Sequence, residues 1–376
     1  MDIKEIVKQF KLNGDIINIE ESHTGNINNT YIISVIEDGV LKKYTLQKVN
    51  LLVFKDPVLL MDNIVSVTDY CKNYLRDNCE DFERGTLSVV RTIDGNNFYK
   101  TNDLECYRMY NYITNARTFD KSVNAEMFYN VGSAFGHFVR MLDKYPIDEL
   151  KETIPNFHNS KKRFLSFVKD VSEDKVGRVY EVLDEINFIM DRSDSFNVIV
   201  NMLEDGTIPY RVTHNDTKIN NVLIDEVTGK AICVIDLDTV MPGSALYDFG
   251  DAIRSGASTT FEDDTNMDNV GINIEYFRSF TEAYLNETVD ILTEKELEYL
   301  VFSCRLLTLE LAMRFLNDYI NGDVYFKINY DKHNLDRARN QIKLVKEIEL
   351  HYDEMLSIVV DECLLRKDSK RLQRVI

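Results

Sequence analysis

Residues 212–225 read V-T-H-N-D-T-K-I-N-N-V-L-I-D. His214, Asp216, Lys218, Asn220 and Asn221 crowd into eight positions, and Val222-Leu223-Ile224 follow directly. An exposed loop has no need of that order, and a buried strand does not tolerate so many polar groups without partners. A polar loop that does chemistry and feeds a core strand satisfies both halves. A second apolar run, A-I-C-V-I-D (231–236), follows V-T-G-K (227–230), which is a hairpin signal. Two strands held by one hairpin put their ends side by side, so Asn221 and Asp236 are expected at neighbouring ends.

The loop follows the order H-x-D-x-K-x-x-N, the spacing of a phosphoryl-transfer catalytic loop. In that chemistry Asp216 takes the proton of an acceptor hydroxyl. Asn221, five residues on, turns back toward a metal on the nucleotide phosphates, and Lys218 offsets charge beside the γ-phosphate. His214 reads as a brace for the loop rather than a base. Asp236, after three apolar β-type residues, is the expected second metal carboxylate. Asp238 is either a further ligand or a turn residue. In P-G-S-A-L-Y-D-F-G-D-A-I-R (242–254), Asp248 and Asp251 begin or precede a helix. Asp248 reads as structural, capping backbone N–H groups or holding the catalytic loop.

Working outward, Ile3, Ile6, Val7 and Phe10 have helical spacing up to Asn13-Gly14. Strands are expected at 16–20, 30–36 and 40–48, with a turn at Glu37-Asp38-Gly39, and strand character resumes at 87–91, 98–100 and 106–112. One helix is expected over 56–76. Further on, helices are expected over 123–144, 158–171, 176–190, 273–287, 294–320 and 335–365, interrupted by the hairpin at 221–236. The pattern gives an α+β chain with a small, largely antiparallel-sheet lobe over 1–113 and a larger, mainly helical lobe over 114–376.

At 376 residues the chain exceeds the usual size of a single core. Its formal net charge of -19 argues against a nucleic-acid partner, which needs clustered Lys and Arg, and against close contact with an anionic membrane. Six well-separated cysteines form no C-x-x-C pair and suit reduced thiols in a cytoplasmic protein. The start of the chain reads as a charged amphipathic stretch rather than a signal peptide. Oligomeric state is not encoded in any pattern we read.

The segments H-N-D-T-K-I-N-N-V-L-I-D, I-D-L-D-T-V-M-P-G and Y-D-F-G-D-A-I-R resemble the aminoglycoside phosphotransferase/choline kinase-like family, which has a two-lobed protein-kinase-like fold. Within it, the wording is most similar to the N-acetylhexosamine 1-kinases. Y-R-M-Y-N-Y-I (107–113) and L-T-L-E-L-A-M-R-F-L-N-D-Y-I-N-G-D-V-Y-F-K-I (307–328) extend the resemblance. It implies ATP and Mg²⁺ as cofactors and the anomeric hydroxyl of an N-acetylhexosamine as acceptor. It also implies Asp216 as base, Asn221 and Asp236 as metal-holding residues, and Arg314 and Tyr325 as sugar-pocket residues. Read from the residues alone, Arg314 is one helical turn after Glu310, a simple i,i+4 ion pair. Asp323 serves a turn equally well.

The nucleotide side departs from the pattern. S-H-T-G-N-I-N-N-T (22–30) has one glycine where protein kinases have three. Gly25, Asn26, Asn28, Asn29 and Thr30 are the groups there that can cradle phosphate. The phosphate-pairing lysine falls on Gln47 or Lys48, which strand alternation points to opposite faces. Asp62 is the nearest equivalent of its helix partner. An aminoglycoside, choline or other small-alcohol phosphotransferase of the same fold is the alternative activity, although choline calls for an aromatic cage and the chain has no Trp. A non-catalytic nucleotide-binding scaffold is the alternative of another class.

Overall fold

The computed structural model describes residues 2–22 and 28–373. The chain falls into two compact units. The first comprises residues 1–118, 144–155 and 222–241, and the second 119–143, 156–221 and 242–376.

The first unit is built on an antiparallel sheet of β1 (Asp15–Ser22), β2 (Asn29–Glu37), β3 (Val40–Val49), β4 (Tyr99–Lys100) and β5 (Cys106–Asn111), in the order β1-β2-β3-β5-β4. Alternation along the strands puts Ile33, Val35, Tyr44, Leu46, Tyr107 and Met109 on one face. There they form a core with Ile6 and Val7 of α1 (Ile3–Val7) and with Phe10. The opposite face carries a row in which Thr30 pairs with Gln47 and Gln47 with Arg108. α2 (Pro57–Asp77) starts on Asp56, whose carboxylate accepts from the N–H groups of Val58 and Leu59, with Pro57 in the first turn. The hairpin of β8 (Val222–Asp225) and β9 (Ala231–Val234) belongs to this unit. A third strand, β6 (Ala116–Arg117), adds to β8.

The second unit is helical: α3 (Ala125–Met141), α4 (Ser160–Glu173), α5 (Leu183–Met190), α6 (Ser195–Glu204), α7 (Ala245–Gly256), α8 (Ile274–Thr288), α9 (Glu294–Glu298), α10 (Leu300–Ile320), α11 (His333–Leu350) and α12 (Tyr352–Gln373). α10 is apolar almost all round, and it is buried between neighbouring helices. Phe249 of α7 meets the rings of Phe277, Phe280 and Tyr284 on α8 edge-on, at 5.2–6.3 Å between centroids. A short strand, β7 (Arg211–Thr213), leads into the polar loop.

Several expected elements differ. Residues 87–91 make only an isolated bridge, Val89 to Tyr110, instead of a strand. The expected helix 176–190 is a 3₁₀ turn, Val179–Glu181, followed by α5, because Asp174 and Gly177 turn the chain through left-handed conformations. The span 294–320 breaks at Tyr299, and 335–365 breaks at His351. The helix α6 has no counterpart in the expectations. Among the described residues, no helix is long and apolar enough to cross a membrane. All six cysteines are free thiols.

Glycine lets α3 and α8 pack closely. A Cβ on Gly132 would lie 2.6 Å from the Phe280 carbonyl oxygen, and one on Gly136 3.0 Å from that of Tyr284. Helix propensity alone favours Ala over Gly by about 1 kcal/mol. The clash with backbone outweighs it, so Gly132→Ala is expected to lose about 1–3 kcal/mol. A denaturant midpoint at or above the parent's would show that α3 and α8 do not need this approach.

Candidate active site

The polar loop is held from below by α7. Ser244 caps this helix, accepting from the Leu246 N–H, and the first turns of α7 then carry Asp248 and Asp251. One oxygen of Asp248 accepts the His214 N–H at 2.8 Å and the other the Asn215 N–H at 2.7 Å. Asp251 accepts the Thr217 N–H at 3.0 Å, and the Thr217 hydroxyl donates to the Asp248 carbonyl at 2.6 Å. Two buried carboxylates thereby fix the backbone on both sides of Asp216. Asp248 is the loop's anchor, as its sequence context suggested. Arg254 covers Asp251 with two hydrogen bonds of 3.0 and 2.8 Å. His214, fully buried, lies edge-on to Phe135 and Phe138 and accepts the Asp216 N–H at Nδ1, at 3.3 Å. It braces the loop. Asn215 takes a left-handed φ of 64°, a turn that an Asn tolerates.

On this frame Asp216 stays half-buried with its partners around it. Lys218 Nζ is 2.8 Å from Oδ1. Asn221 Nδ2 donates to the Asp216 carbonyl at 2.8 Å and to Oδ2 at 3.2 Å. The amide nitrogen is thus committed to Asp216, which leaves the carboxamide oxygen as the group Asn221 can offer a cation. The charges of Asp216 and then Asp251 push the Lys218 ammonium pKa up, so it stays protonated.

Arg314 and Tyr325 occur in one cluster of the same unit. Arg314 lies 5.9 Å from the Phe157 ring centroid and 5.5 Å from that of Phe326, and Phe326 lies edge-on to Tyr325 at 4.8 Å. Tyr325 is 67% exposed. Asp318, which sequence reasoning passed over, collects the N–H groups of Val324, Tyr325 and Phe326 and fixes that segment. Asp323 is bound by Arg178 and Asn334 and holds a left-handed turn. Glu310 does not form the simple pair with Arg314. Its carboxylate lies against His158 and Arg163 instead.

In the sheet unit, the centre is a residue the sequence did not single out. Arg108 is 1% exposed. Its Nε and Nη2 donate to Gln47 Oε1 at 3.0 and 2.9 Å, and Nη1 pairs with Asp238. The other oxygen of Asp238 accepts from Asn28 Nδ2 at 2.8 Å, and Gln47 reaches the Thr30 hydroxyl at 3.3 Å. Asp236 holds a left-handed φ of 60°, costly for a residue with a Cβ, and acts with Asp238 on the charge of Arg108. Lys48, on the opposite face of β3, pairs with Glu105. Asp62 is exposed, and its neighbour Asn63 is the working residue of α2: it donates to the carbonyls of Lys151 and Val240 and accepts the Lys151 N–H. Asn29 starts β2, and Gly25 and Asn26 lie outside the described residues.

Asn221 and Asp236 offer hard oxygen donors, the type Mg²⁺ takes, and Mg²⁺ commonly uses only one or two carboxylates beside substrate phosphates. Among the described residues, no group of three or more His, Cys, Asp or Glu is placed to hold a metal ion.

Residues 191–284 match the phosphotransferase enzyme family (APH). That is 94 of 376 residues, and it spans the polar loop, the hairpin and α7. Solved structures extend the likeness over nearly the whole chain. A microcompartment-associated aminopropanol kinase is 16% identical, with a TM-score of 0.57 over 94% of this chain and 99% of that one. A spectinomycin phosphotransferase, solved with ADP and spectinomycin, is 15% identical, with a TM-score of 0.56 over 93% and 96%. A choline kinase from Cryptosporidium parvum Iowa II is 11% identical, with a TM-score of 0.57 over 94% and 98%. The fold is protein-kinase-like, with an antiparallel sheet followed by a helical region.

Asp248→Ala strands two buried N–H donors, at about 1–3 kcal/mol each, and frees the loop. Both stability and turnover are expected to fall; parental values for both would remove Asp248 as the anchor. Burial pushes the Asp248 carboxyl up to about 6. The folded chain then holds a proton there that the unfolded chain releases at lower pH. The stability Asp248 contributes is therefore expected to decline as pH rises from about 4 to about 6. Comparing parent and Asp248→Asn melts across that window reads this directly. Arg108→Met leaves Asp238 buried without its cation and is expected to cost about 3–5 kcal/mol. A loss below about 1 kcal/mol in denaturant unfolding would show that Asp238 does not depend on Arg108.

Proposed function

We propose that this chain is an ATP- and Mg²⁺-dependent phosphotransferase that phosphorylates the anomeric hydroxyl of an N-acetylhexosamine to give the sugar 1-phosphate. The observation that carries the phosphotransferase reading is the Asp216 carboxylate, held between Lys218 and Asn221 on a loop gripped by two buried aspartates. The narrower acceptor class rests on the wording of D-L-D-T-V-M-P-G and G-D-V-Y-F-K-I and on Arg314 and Tyr325.

Asp216 orients the acceptor hydroxyl and takes its proton as the acceptor oxygen bonds to the γ-phosphorus and the bond from that phosphorus to the departing ADP breaks. An anomeric hydroxyl is more acidic than a simple alcohol, so a carboxylate suffices late in a loose transition state. Lys218 stays protonated, steadies Asp216 and offsets charge on the transferring group. Asn221, through its carboxamide oxygen, and Asp236 are the residues assigned to Mg²⁺, which when bound neutralises phosphate charge. Arg108, through Gln47 and Asp238, keeps the segment carrying Asp236 in place. Gly25, Asn29, Thr30 and Lys48 are assigned to the nucleotide. For Lys48, which the register puts on the face of β3 opposite to Gln47, this requires phosphate to reach that face and to displace Glu105.

³¹P NMR of a reaction with ATP, Mg²⁺ and N-acetylglucosamine or N-acetylgalactosamine is expected to show a sugar 1-phosphate. Asp216→Asn is expected to lower kcat by about 10²–10⁴, the range for losing a general base, and Asp236→Ala to abolish Mg²⁺-dependent turnover. Faster phosphorylation of choline or an aminoglycoside than of any hexosamine would replace the acceptor class. Full turnover by Asp216→Asn would overturn the mechanism.

A further inference from the structure

One face of the sheet unit carries two side-chain donors with hydrogens that meet no acceptor among the described residues. Thr30, Gln47 and Arg108 stand opposite one another on β2, β3 and β5. Arg108 Nε and Nη2 both donate to Gln47 Oε1, at 3.0 and 2.9 Å. Only the oxygen of an amide accepts guanidinium N–H groups, so Arg108 fixes which way the Gln47 amide is turned. Nε2 is left on the other side, where it donates to the Thr30 hydroxyl at 3.3 Å. That contact occupies one of its two hydrogens. The second, and the hydrogen of the Thr30 hydroxyl itself, are the unspent pair.

The row is tied to the segments assigned to phosphate and to metal. Arg108 Nη1 pairs with Asp238, two residues after Asp236. The second oxygen of Asp238 accepts from Asn28 Nδ2 at 2.8 Å, and Asn28 Oδ1 accepts the Asn50 N–H at 3.0 Å. Asn28 lies near the end of the polar stretch 22–30, so that end, the row and the segment of Asp236 make one assembly within the sheet unit. Net positive charge is not what the assembly offers. Its one guanidinium is 1% exposed, is met by Asp238 and lies in the field of Asp236 as well. What it offers is direction: two neutral donors, on half-buried Gln47 and on Thr30, held by a buried cation behind them. Such amide and hydroxyl groups are common donors to phosphate oxygens. Lys48 has no part in this. It stands on the opposite face of β3 against Glu105, whose other oxygen accepts the Tyr107 hydroxyl at 2.9 Å.

We infer that Gln47, aimed by Arg108, and Thr30 hold phosphate oxygens of the bound nucleotide, and that Gln47 takes the place on β3 assigned above to Lys48. This rests on the reading of the chain as a nucleotide-dependent phosphotransferase and changes which β3 side chain touches the nucleotide. The contact is a neutral donor instead of an ammonium. Arg108 is a positioning residue: it is too buried to reach the nucleotide and acts through the amide it turns.

The test measures binding of ADP, and of adenosine as its phosphate-free counterpart, to the full chain by calorimetry in Mg²⁺. Gln47→Glu keeps an oxygen for both Arg108 N–H groups and replaces the outward N–H donor by a carboxylate oxygen. It is expected to weaken ADP by about 10–100-fold, the scale of one hydrogen bond to a charged group, and adenosine far less, so that the ratio of the two Kd values moves. A merely structural role would shift both ligands together. Arg108→Lys keeps a cation beside Asp238 but loses the fork that turns Gln47, and is expected to move the ratio in the same direction. Lys48→Met is expected to cost ADP about tenfold less than Gln47→Glu does. An unchanged ratio in folded Gln47→Glu would overturn the inference, and so would a loss of ADP affinity in Lys48→Met as large as that in Gln47→Glu. Where Gln47→Glu or Arg108→Lys does not fold, Thr30→Val removes the hydroxyl and keeps the shape: a moved ratio supports the inference and an unchanged one overturns it. A parent that binds no ADP overturns the nucleotide reading and this inference with it. ADP binding without turnover of any alcohol overturns the transfer reading alone, and the binding ratios still decide this one.

Discussion

The structure turns on four hydrogen bonds between the first turns of α7 and residues 214–217, three from the loop's backbone N–H groups and one from the Thr217 hydroxyl. A polar loop with a left-handed residue at Asn215 is a poor candidate for order. Its N–H groups point into the protein, where each needs an acceptor. Asp248 and Asp251 supply carboxylate acceptors at a spacing of three, one turn of the same helix. Their burial is tolerable because the donors and Arg254 replace the water they lose. Once that backbone is fixed, Asp216 has no freedom except its own side-chain torsions, and Lys218 and Asn221 restrict those. Preorganisation here is a property of the loop's main chain before it is a property of the reacting side chain.

The sheet unit solves a comparable problem with a cation. Arg108 is wholly buried and would be intolerable alone. Gln47 on the adjacent strand and Asp238 after the hairpin satisfy it, and Asp238 in turn holds Asn28. Residues far apart in sequence are thus tied through one guanidinium. Strand register makes this possible: Thr30, Gln47 and Arg108 form one cross-strand row, so a single face presents hydroxyl, amide and guanidinium together. The same register sends Lys48 to the other face, where Glu105 meets it. Where strand alternation left open whether Gln47 or Lys48 faces the working side, the register puts Gln47 with the segment that carries Asp236.

What was legible in the sequence follows from the range of the interactions. The strands over 15–49, helix α2, the hairpin and the loop motif were readable because local periodicity and turn residues specify them. Asp248 was readable as an anchor from its place after P-G-S. Arg108 was not, because in C-Y-R-M-Y-N-Y it looks like one polar residue in a strand, and its partners are 61 and 130 positions away. Glu310 invited a local pairing with Arg314. The fold overruled it by bringing His158 and Arg163 from α4 and the loop before it. The helix expected over 176–190 failed for a local reason, since Asp174 and Gly177 adopt positive φ and stop it. Propensity reads the near neighbours of a residue, while the partners of a buried charge are chosen by topology.

That distinction separates the parts of the site. A proton acceptor beside a fixed backbone can be recognised from a short motif, because its geometry is made within a few residues. The cluster of His158, Arg163 and Glu310 is assembled instead from α10, α4 and the loop before α4, and no one of those segments shows it. Global charge is a poor guide here: -19 over the chain suggests a welcome for cations, yet screening limits that field to about 8 Å at physiological salt. Within the helical unit each buried carboxylate meets its own partners: Glu310 lies against Arg163 and His158, and Asp251 against Arg254. The partners that topology brings, not the net charge, therefore decide the environment of each buried carboxylate in the helical unit.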